Sequence, residues 1–266
     1  MTASTRARFA ILGVGLWTDR FATAADYIAG SPVEEPKRPG AGLVPSRQRR
    51  RCSVLTRAIA TAFGEALEAS GLAADELPVV CGSAWGECDT LPVLLESVFD
   101  DDIPTSPMRF AASVHNTASG TLSIATGARC FATSIAAGEA TTSASLLEAV
   151  SLLAAGHAYV AVVVGDSRIP DVLGGEVEGH GTLAVGIILA RSDAPLAVDM
   201  PLFEAQIANT SSPYPAAAAH VDNPCRHALS LVDLGLGDGA TADLGPLHPR
   251  APDQRVTVAR TGGPSS

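Results

Sequence analysis

An α/β architecture, with helices layered on a sheet, follows from three patterns in the sequence. Short β-branched runs alternate with helical periodicity between residues 53 and 190. Hydrophobic residues make up 47% of the chain but aromatics only 5%, so the apolar content is mostly Ala, Val, Leu and Ile, which suits helices packed closely on a sheet. A length of 266 residues supplies apolar surface for one large domain or two small ones.

Residues 9–15, FAILGVG, read as a buried first strand ending in a glycine turn. Arg6 and Arg8 ahead of this apolar run, with Ala22-Thr23-Ala24 behind it, also fit a secretory leader. Asp19 and Arg20 interrupt the approach to that cleavage site, and Gly13 and Gly15 break a helical region, which favours the strand. A short helix is expected near 22–29, and the Pro-, Gly- and Arg-rich stretch 31–52 reads as a loop. From Ser53, the pairs Val54/Leu55, Ala58/Ile59, Ala62/Phe63 and Ala66/Leu67 recur at helical spacing, with Ser53 as N-cap and Gly71 as the stop. Residues 77–82 make a short strand and 90–99 a helix. Pro104 and Pro107 close the loop that Asp100 and Asp102 open. Residues 117–127 look helical, 132–137 like a strand, and 141–155 like a helix with Leu146, Leu147, Val150 and Leu153 on one face. Gly156 stops that helix, and strands are expected at 159–164 and 183–190. Beyond Asp193 the pattern decays, apart from a short strand or helix at 227–234. The expected organisation is a folded domain over 1–192, a weakly structured extension over 193–240 and a disordered tail over 241–266.

Charge and motifs narrow the function classes. Lys plus Arg number 18 against 28 Asp plus Glu, a formal charge of -10, which argues against nucleic-acid or anionic-membrane binding. No apolar stretch reaches the ~20 residues of a membrane span; the longest, 152–165, carries Gly156 and His157. Gly13-Val14-Gly15 begins like a dinucleotide fingerprint, but Thr18 stands where the third glycine belongs, so an ordinary tight turn is expected. Gly82-Ser83 follows Cys81, which spoils a nucleophile-elbow spacing. The five cysteines, Cys52, Cys81, Cys88, Cys130 and Cys225, form no metal or disulfide pattern and fit reduced thiols in a cytoplasmic protein. Cys225 and His227 have no partner pair at ligand spacing, so neither a metal nor a cofactor is expected.

Residues 113–166, SVHNTASGTLSIATGARCFATSIAAGEATTSASLLEAVSLLAAGHAYVAVVVGD, are specific. They resemble the N-terminal half of the β-ketoacyl synthases, the condensing enzymes of the thiolase fold. Asn116 with Gly120 and the run SIATG match the helix before the nucleophile strand. The strand ATSIAA then enters a sharp turn at the head of a helix, where the family places its cysteine. The helix ending at Gly156 and the strand YVAVVVGD match the family's helix and strand after the nucleophile. Order and spacing agree over about residues 8–190, with FAILGVG, EALEASGL and VVCGSAWGE in their places. The resemblance implies a layered α-β-α half fold with a mixed sheet.

Two departures carry the functional expectation. The nucleophile position falls on Glu139. A cysteine thiolate exchanges one thioester for another, whereas a carboxylate would form a mixed anhydride. A helix N-terminus would hold Glu139 as an anion, worth roughly 0.3–1 kcal/mol if exposed. Cys130, before the strand, cannot take its place. The second departure is length: the region that in the family supplies a second α/β half and two catalytic histidines is short here and lacks periodicity. Gly179-His180-Gly181-Thr182 is similar to the family's histidine turn, but leads straight into LAVGIILA and reads as a glycine-rich approach to a strand.

The resemblance therefore implies no catalysis. It points to a short chain-length factor, of the type associated with aryl polyene and related pathways, that pairs with a full-length β-ketoacyl synthase and meets acyl carrier protein indirectly. Glu139, Gly138, Asn116 and Thr141 are the candidate substrate or tunnel positions, and Glu139 marks the vacated nucleophile. Thr133, Ser134 and Ile135 are partner-interface candidates if their strand is an edge; an ordinary central strand is the other reading. Arg49, Arg50 and Arg51 are either a docking point for acidic partners or a solvated loop. The alternatives are a malonyl-carrier-protein decarboxylase using Glu139 and a free-standing acyl-binding or scaffold protein.

Overall fold

The computed structural model describes residues 8–35, 38–99, 104, 106–174, 181–209 and 222–261. The strands are β1 (Arg8–Thr18), β2 (Val79–Gly82), β3 (Ala132–Ile135), β4 (Tyr159–Asp166), β5 (Leu183–Arg191), β6 (Leu202–Asn209), β7 (Thr241–His248) and β8 (Ala251–Thr261). The helices are α1 (Ala24–Ile28), α2 (Ser46–Arg49), α3 (Val54–Ser70), α4 (Leu91–Phe99), α5 (Pro107–Ala111), α6 (Thr117–Thr126), α7 (Thr141–Ala154) and α8 (Leu229–Leu236). All eight strands join one mixed sheet in the order β3-β2-β4-β5-β1-β6-β8-β7. β2 runs parallel to both of its neighbours, since helical crossovers link it to β3 and β3 to β4. The remaining pairs are antiparallel.

Strand alternation divides the core between two faces. Ala161 and Val163 of β4 pack with Ala58, Ile59, Ala62 and Phe63 of α3 on one side. Val160, Val162 and Val164 face α7 and α8 on the other, with Leu146, Leu153, Leu229 and Val232. The capping of α3 matches its sequence signals: the Ser53 hydroxyl accepts from the Thr56 N–H at 2.9 Å, and Gly71 closes the helix at φ 68.

The expected glycine turn after residue 15 is not there. β1 continues to Thr18, and its glycines lie inside the strand. A Cβ on Gly15 would stand 2.1 Å from the Ala62 carbonyl oxygen, and one on Gly186, paired with Gly15 across β1 and β5, 2.6 Å from the same atom. The glycines let α3 lie directly on the strands, so the motif serves packing. Two short helices, α2 and α5, also form where loops were expected; Ser106 caps α5, with Pro107 in its first turn.

The largest correction concerns the C-terminal region. The expected weakly structured extension and disordered tail are instead β6, α8, β7 and β8, as far as residue 261; residues 262–266 lie outside the described set. The polar residues that masked these strands pair inside the fold: Arg255 Nε donates to Asp243 Oδ2 at 2.8 Å, with both side chains buried. β6 meets β1 through only three residue pairs, Arg8, Phe9 and Ala10 against Glu204, Phe203 and Leu202. Past this joint the sheet turns over, because α7 touches both β4 and β7, and α8 both β1 and β7. Leu244, Val256 and Val258 thereby close the core over α7 and α8. A chain ending at residue 192 is expected to lose its cooperative thermal transition and aggregate, as read by circular dichroism and size exclusion; a monomeric, cooperatively melting fragment would contradict this assignment.

Candidate functional site

The turn between β3 and α7 carries the candidate position Glu139. Gly138 takes a left-handed φ of 55, which a glycine adopts without strain. Thr141, fully buried, locks the turn: its hydroxyl donates to the Gly138 carbonyl at 2.7 Å and accepts from the Ala137 N–H at 3.1 Å. Glu139 stands at the head of α7 with its side chain 48% exposed, and its Oε2 lies 2.6 Å from Arg226 Nη1. A second donor contact from Arg226, to the Asn223 carbonyl at 3.2 Å, fixes the guanidinium. The structure thus brings Gly138, Glu139 and Thr141 together, and adds Arg226.

Asn116 is placed elsewhere. It is exposed at the N-terminus of α6, its side chain makes no capping bond, and its carbonyl accepts from the Gly120 N–H at 3.0 Å. No hydrogen bond joins it to the Glu139 turn among the described residues. Thr133, Ser134 and Ile135 are half-buried on β3, which pairs with β2 alone, so of the two readings the structure gives a sheet edge among the described strands. His180 lies outside the described residues. Cys130 sits at the far end of β3, where its thiol reaches the Asp75 carbonyl, so it cannot serve the turn.

Sequence reasoning missed the buried acid behind the site. Asp166, at the end of β4 with no exposed surface, accepts from four donors: the Ser83 hydroxyl at 2.6 Å, the Ala84 and Trp85 N–H groups at 2.9 and 3.0 Å, and the Cys225 thiol at 3.0 Å. Burial pushes its carboxyl up, against those donors, which pull it down. Beside it, the Asn223 amide donates to the Asp166 and Gly181 carbonyls at 3.2 and 2.9 Å. Cys225 and His227, expected in a poorly ordered region, are buried. The Cys225 thiol is raised well above its ordinary value by burial, then by Asp166. Burial, then Arg226, lowers His227 to about 4, so it stays neutral. The one sequence signal for this network was the acid that closes VVVGD.

A second buried acid stands close by. Glu87 is 4% exposed and Oε1 accepts the Thr56 hydroxyl at 2.5 Å. Burial is the main cause raising its carboxyl, assisted by Asp89 and opposed by the hydroxyls of Ser53 and Thr56 and by His115. Around these turns the surface is apolar. α4 and α5 contain no buried residue, and Trp85, Phe99, Met108, Phe110, Ile124 and Phe131 are all exposed. A groove of about 230 Å³ runs between Arg51 and Cys52 on one side and Met108, Ala112, Thr117 and Ile124 on the other. Among the described residues, no cluster of His, Cys, Asp and Glu is arranged to hold a metal, and no helix is long and apolar enough to cross a membrane.

A mixed sheet with helices on both faces, and a sharp turn feeding α7, define a thiolase-like ketosynthase half fold. The profile of the β-ketoacyl synthase N-terminal domain matches residues 24–241, and the chain belongs to that family. No curated protein sequence matches it. Among solved structures it is similar to a chain of the ketosynthase (ApeO) in complex with its chain length factor (ApeC) from Xenorhabdus doucetiae, with TM-score 0.71 and 19% identity over 95% of this chain and 99% of that one. It is also similar to the ishigamide ketosynthase/chain length factor, with TM-score 0.56 and 16% identity over 75% of this chain and 67% of that one. A third likeness is to a type II polyketide synthase ketosynthase solved with its acyl-carrier protein, AntDE:AntF, with TM-score 0.59 and 15% identity over 77% and 71%.

Glu87 offers a pH test. Its folded pKa is raised, so the folded state binds the proton more tightly than the unfolded chain does. Its contribution is therefore fully present below the ordinary value of about 4.3 and is lost as pH rises through the folded value. Melting curves between pH 4.5 and 7.5 should show wild type losing stability relative to Glu87→Gln as pH rises. A difference that is flat or grows the other way would refute the assignment.

Proposed function

We propose that this chain is a non-catalytic chain-length factor that pairs with a full-length β-ketoacyl synthase in the assembly of polyketide- or fatty-acid-like chains, of the aryl polyene type. The observation that carries the reading is Glu139 at the nucleophile turn, ion-paired with Arg226. A carboxylate paired with a guanidinium at the head of a helix is a poor acyl acceptor and leaves condensation to a partner. The edge strand β3 and the apolar surface of α4 and α5 are where such a partner would bury area, with Thr133, Ser134 and Ile135 in its path. Its cytoplasmic setting is part of the same reading.

Acyl carrier protein would meet the pair mainly through the synthase. Arg50 and Arg51 are exposed and make no ion pair among the described residues, which suits carboxylates of a carrier or partner. Arg49 is committed instead to the Val44 carbonyl, with Nη2 at 2.8 Å. The decarboxylase alternative is disfavoured by charge. Loss of carbon dioxide from a malonyl group builds an enolate, which the Glu139 anion would repel where donors are needed. A free-standing acyl-binding or scaffold protein remains the other reading, and pairing decides it.

Co-expression with a full-length ketosynthase from the same gene neighbourhood should give a one-to-one complex by native mass spectrometry. A monomer indifferent to that partner would exclude the proposal. Of the two tryptophans, Trp17 is 6% exposed and Trp85 54%, so pairing over this surface should shift the emission to the blue, and Trp85→Phe should abolish the shift.

Glu139→Ala should leave the complex assembled and at most alter product length. Purified protein given malonyl-carrier protein should release no carbon dioxide. Complete loss of product from an intact Glu139→Ala complex, or measurable release, would assign Glu139 a direct chemical role.

A further inference from the structure

Glu139 and Arg226 come from distant parts of the chain, and Arg226 is held in place by its own segment. Its N–H donates to the Asn223 carbonyl at 3.0 Å, and its Nη1 reaches the same oxygen at 3.2 Å. Asn223 is buried and anchored: its amide donates to the Asp166 and Gly181 carbonyls, and its side-chain oxygen accepts from the Cys225 N–H at 2.9 Å. None of these bonds involves Glu139. The guanidinium is therefore preorganised without the carboxylate.

Glu139 adds one bond, from Oε2 to Arg226 Nη1 at 2.6 Å, made by a side chain that is 48% exposed. The backbone beneath it is fixed by other means. Thr141 locks the turn, and a Cβ on Gly245 of β7 would stand 3.2 Å from the Glu139 carbonyl oxygen. An ion pair this exposed contributes little to stability, so holding the fold together does not account for it. Arg226 makes no second ion pair among the described residues. A fixed guanidinium with a single carboxylate on it is a carboxylate site whose occupant belongs to the chain. Because that occupant is tethered beside the site, free carboxylates in solution compete poorly with it.

We propose that Arg226 is the core of a carboxylate-binding site at the head of α7, and that Glu139 is its internal occupant. The ligand class shut out is the acyl group that ends in a free carboxylate, malonyl-type groups included, since such an end offers the guanidinium the same pair of oxygens. The purpose rests on the reading of Glu139 as the residue at the nucleophile position: it keeps carboxylate-bearing acyl groups off a subunit that does not condense them. The site itself is tested on the chain alone.

Cutting the Glu139 side chain back vacates the place and leaves the guanidinium standing. In thermal melts of the full chain, about 0.2 M acetate or malonate is compared with chloride at matched ionic strength. Glu139→Ala should gain about 1–3 °C in Tm beyond the change seen in wild type. General salt effects act on every variant alike and cancel in that difference. Glu139→Gln, which keeps the side chain's size and still fills the place, should follow wild type. The double variant, Glu139→Ala with Arg226→Met, should lose the gain. No excess in Glu139→Ala, an equal excess in Glu139→Gln, or an excess that survives Arg226→Met overturns the proposal. If Glu139→Ala fails to fold, Glu139→Ser vacates the same place and is read by the same comparison. Pairing with a ketosynthase is read separately by native mass spectrometry, so a failed complex counts against the proposed function and leaves this result standing.

Discussion

Asp166 is a carboxyl with no contact with solvent, and the turns at this end of the fold are arranged around it. Its carboxylate gathers the Ser83–Trp85 turn after β2 and the thiol of Cys225. Each donor compensates part of the desolvation that burial imposes, and loss of the acid would leave those groups unpaired at once. Because Asn223 and Cys225 are fixed in this way, the next residue, Arg226, is delivered to Glu139. The ion pair between Arg226 and Glu139 is therefore the outer end of a chain of contacts that starts in the core.

The same chain of contacts answers how half of a thiolase-type fold covers itself. Helix α7 would be stranded with one face bare if the sheet stopped at β1. Instead β6, β8 and β7 extend the sheet and return over α7 and α8, and the Ser143 hydroxyl reaches the Pro246 carbonyl at 2.5 Å to fasten the two. What remains uncovered is the opposite margin, where β3, α4 and α5 carry exposed apolar side chains. Self-sufficiency on one side and exposure on the other is the pattern expected of a subunit built to associate.

Local signals were legible wherever structure is decided locally. Ser53 and Gly71 bound α3 because capping involves neighbours only, and the β-branched run 159–164 can pack only as a strand. The glycines of β1 misled because a tight turn and a close helix approach require the same residue; only the position of Ala62 separates them. The C-terminal strands were hidden because Asp243 and Arg255 read as solvated until they are seen paired with each other. Glu139 was found through family spacing, but Arg226 and Asp166 were not. Their roles depend on contacts between segments far apart in the chain, which no periodicity records.

The narrow joint between β1 and β6 has a consequence for biosynthesis on the ribosome. β1 is the first described strand to be made, yet the strands that roof α7 and α8 emerge only as translation reaches residues 241–261. Until then, the nascent chain holds a formed α3 face and an open α7 face, a state that invites chaperone contact. The edge strand β3 is complete well before that roof arrives, so the two margins of the sheet are finished at different times during synthesis.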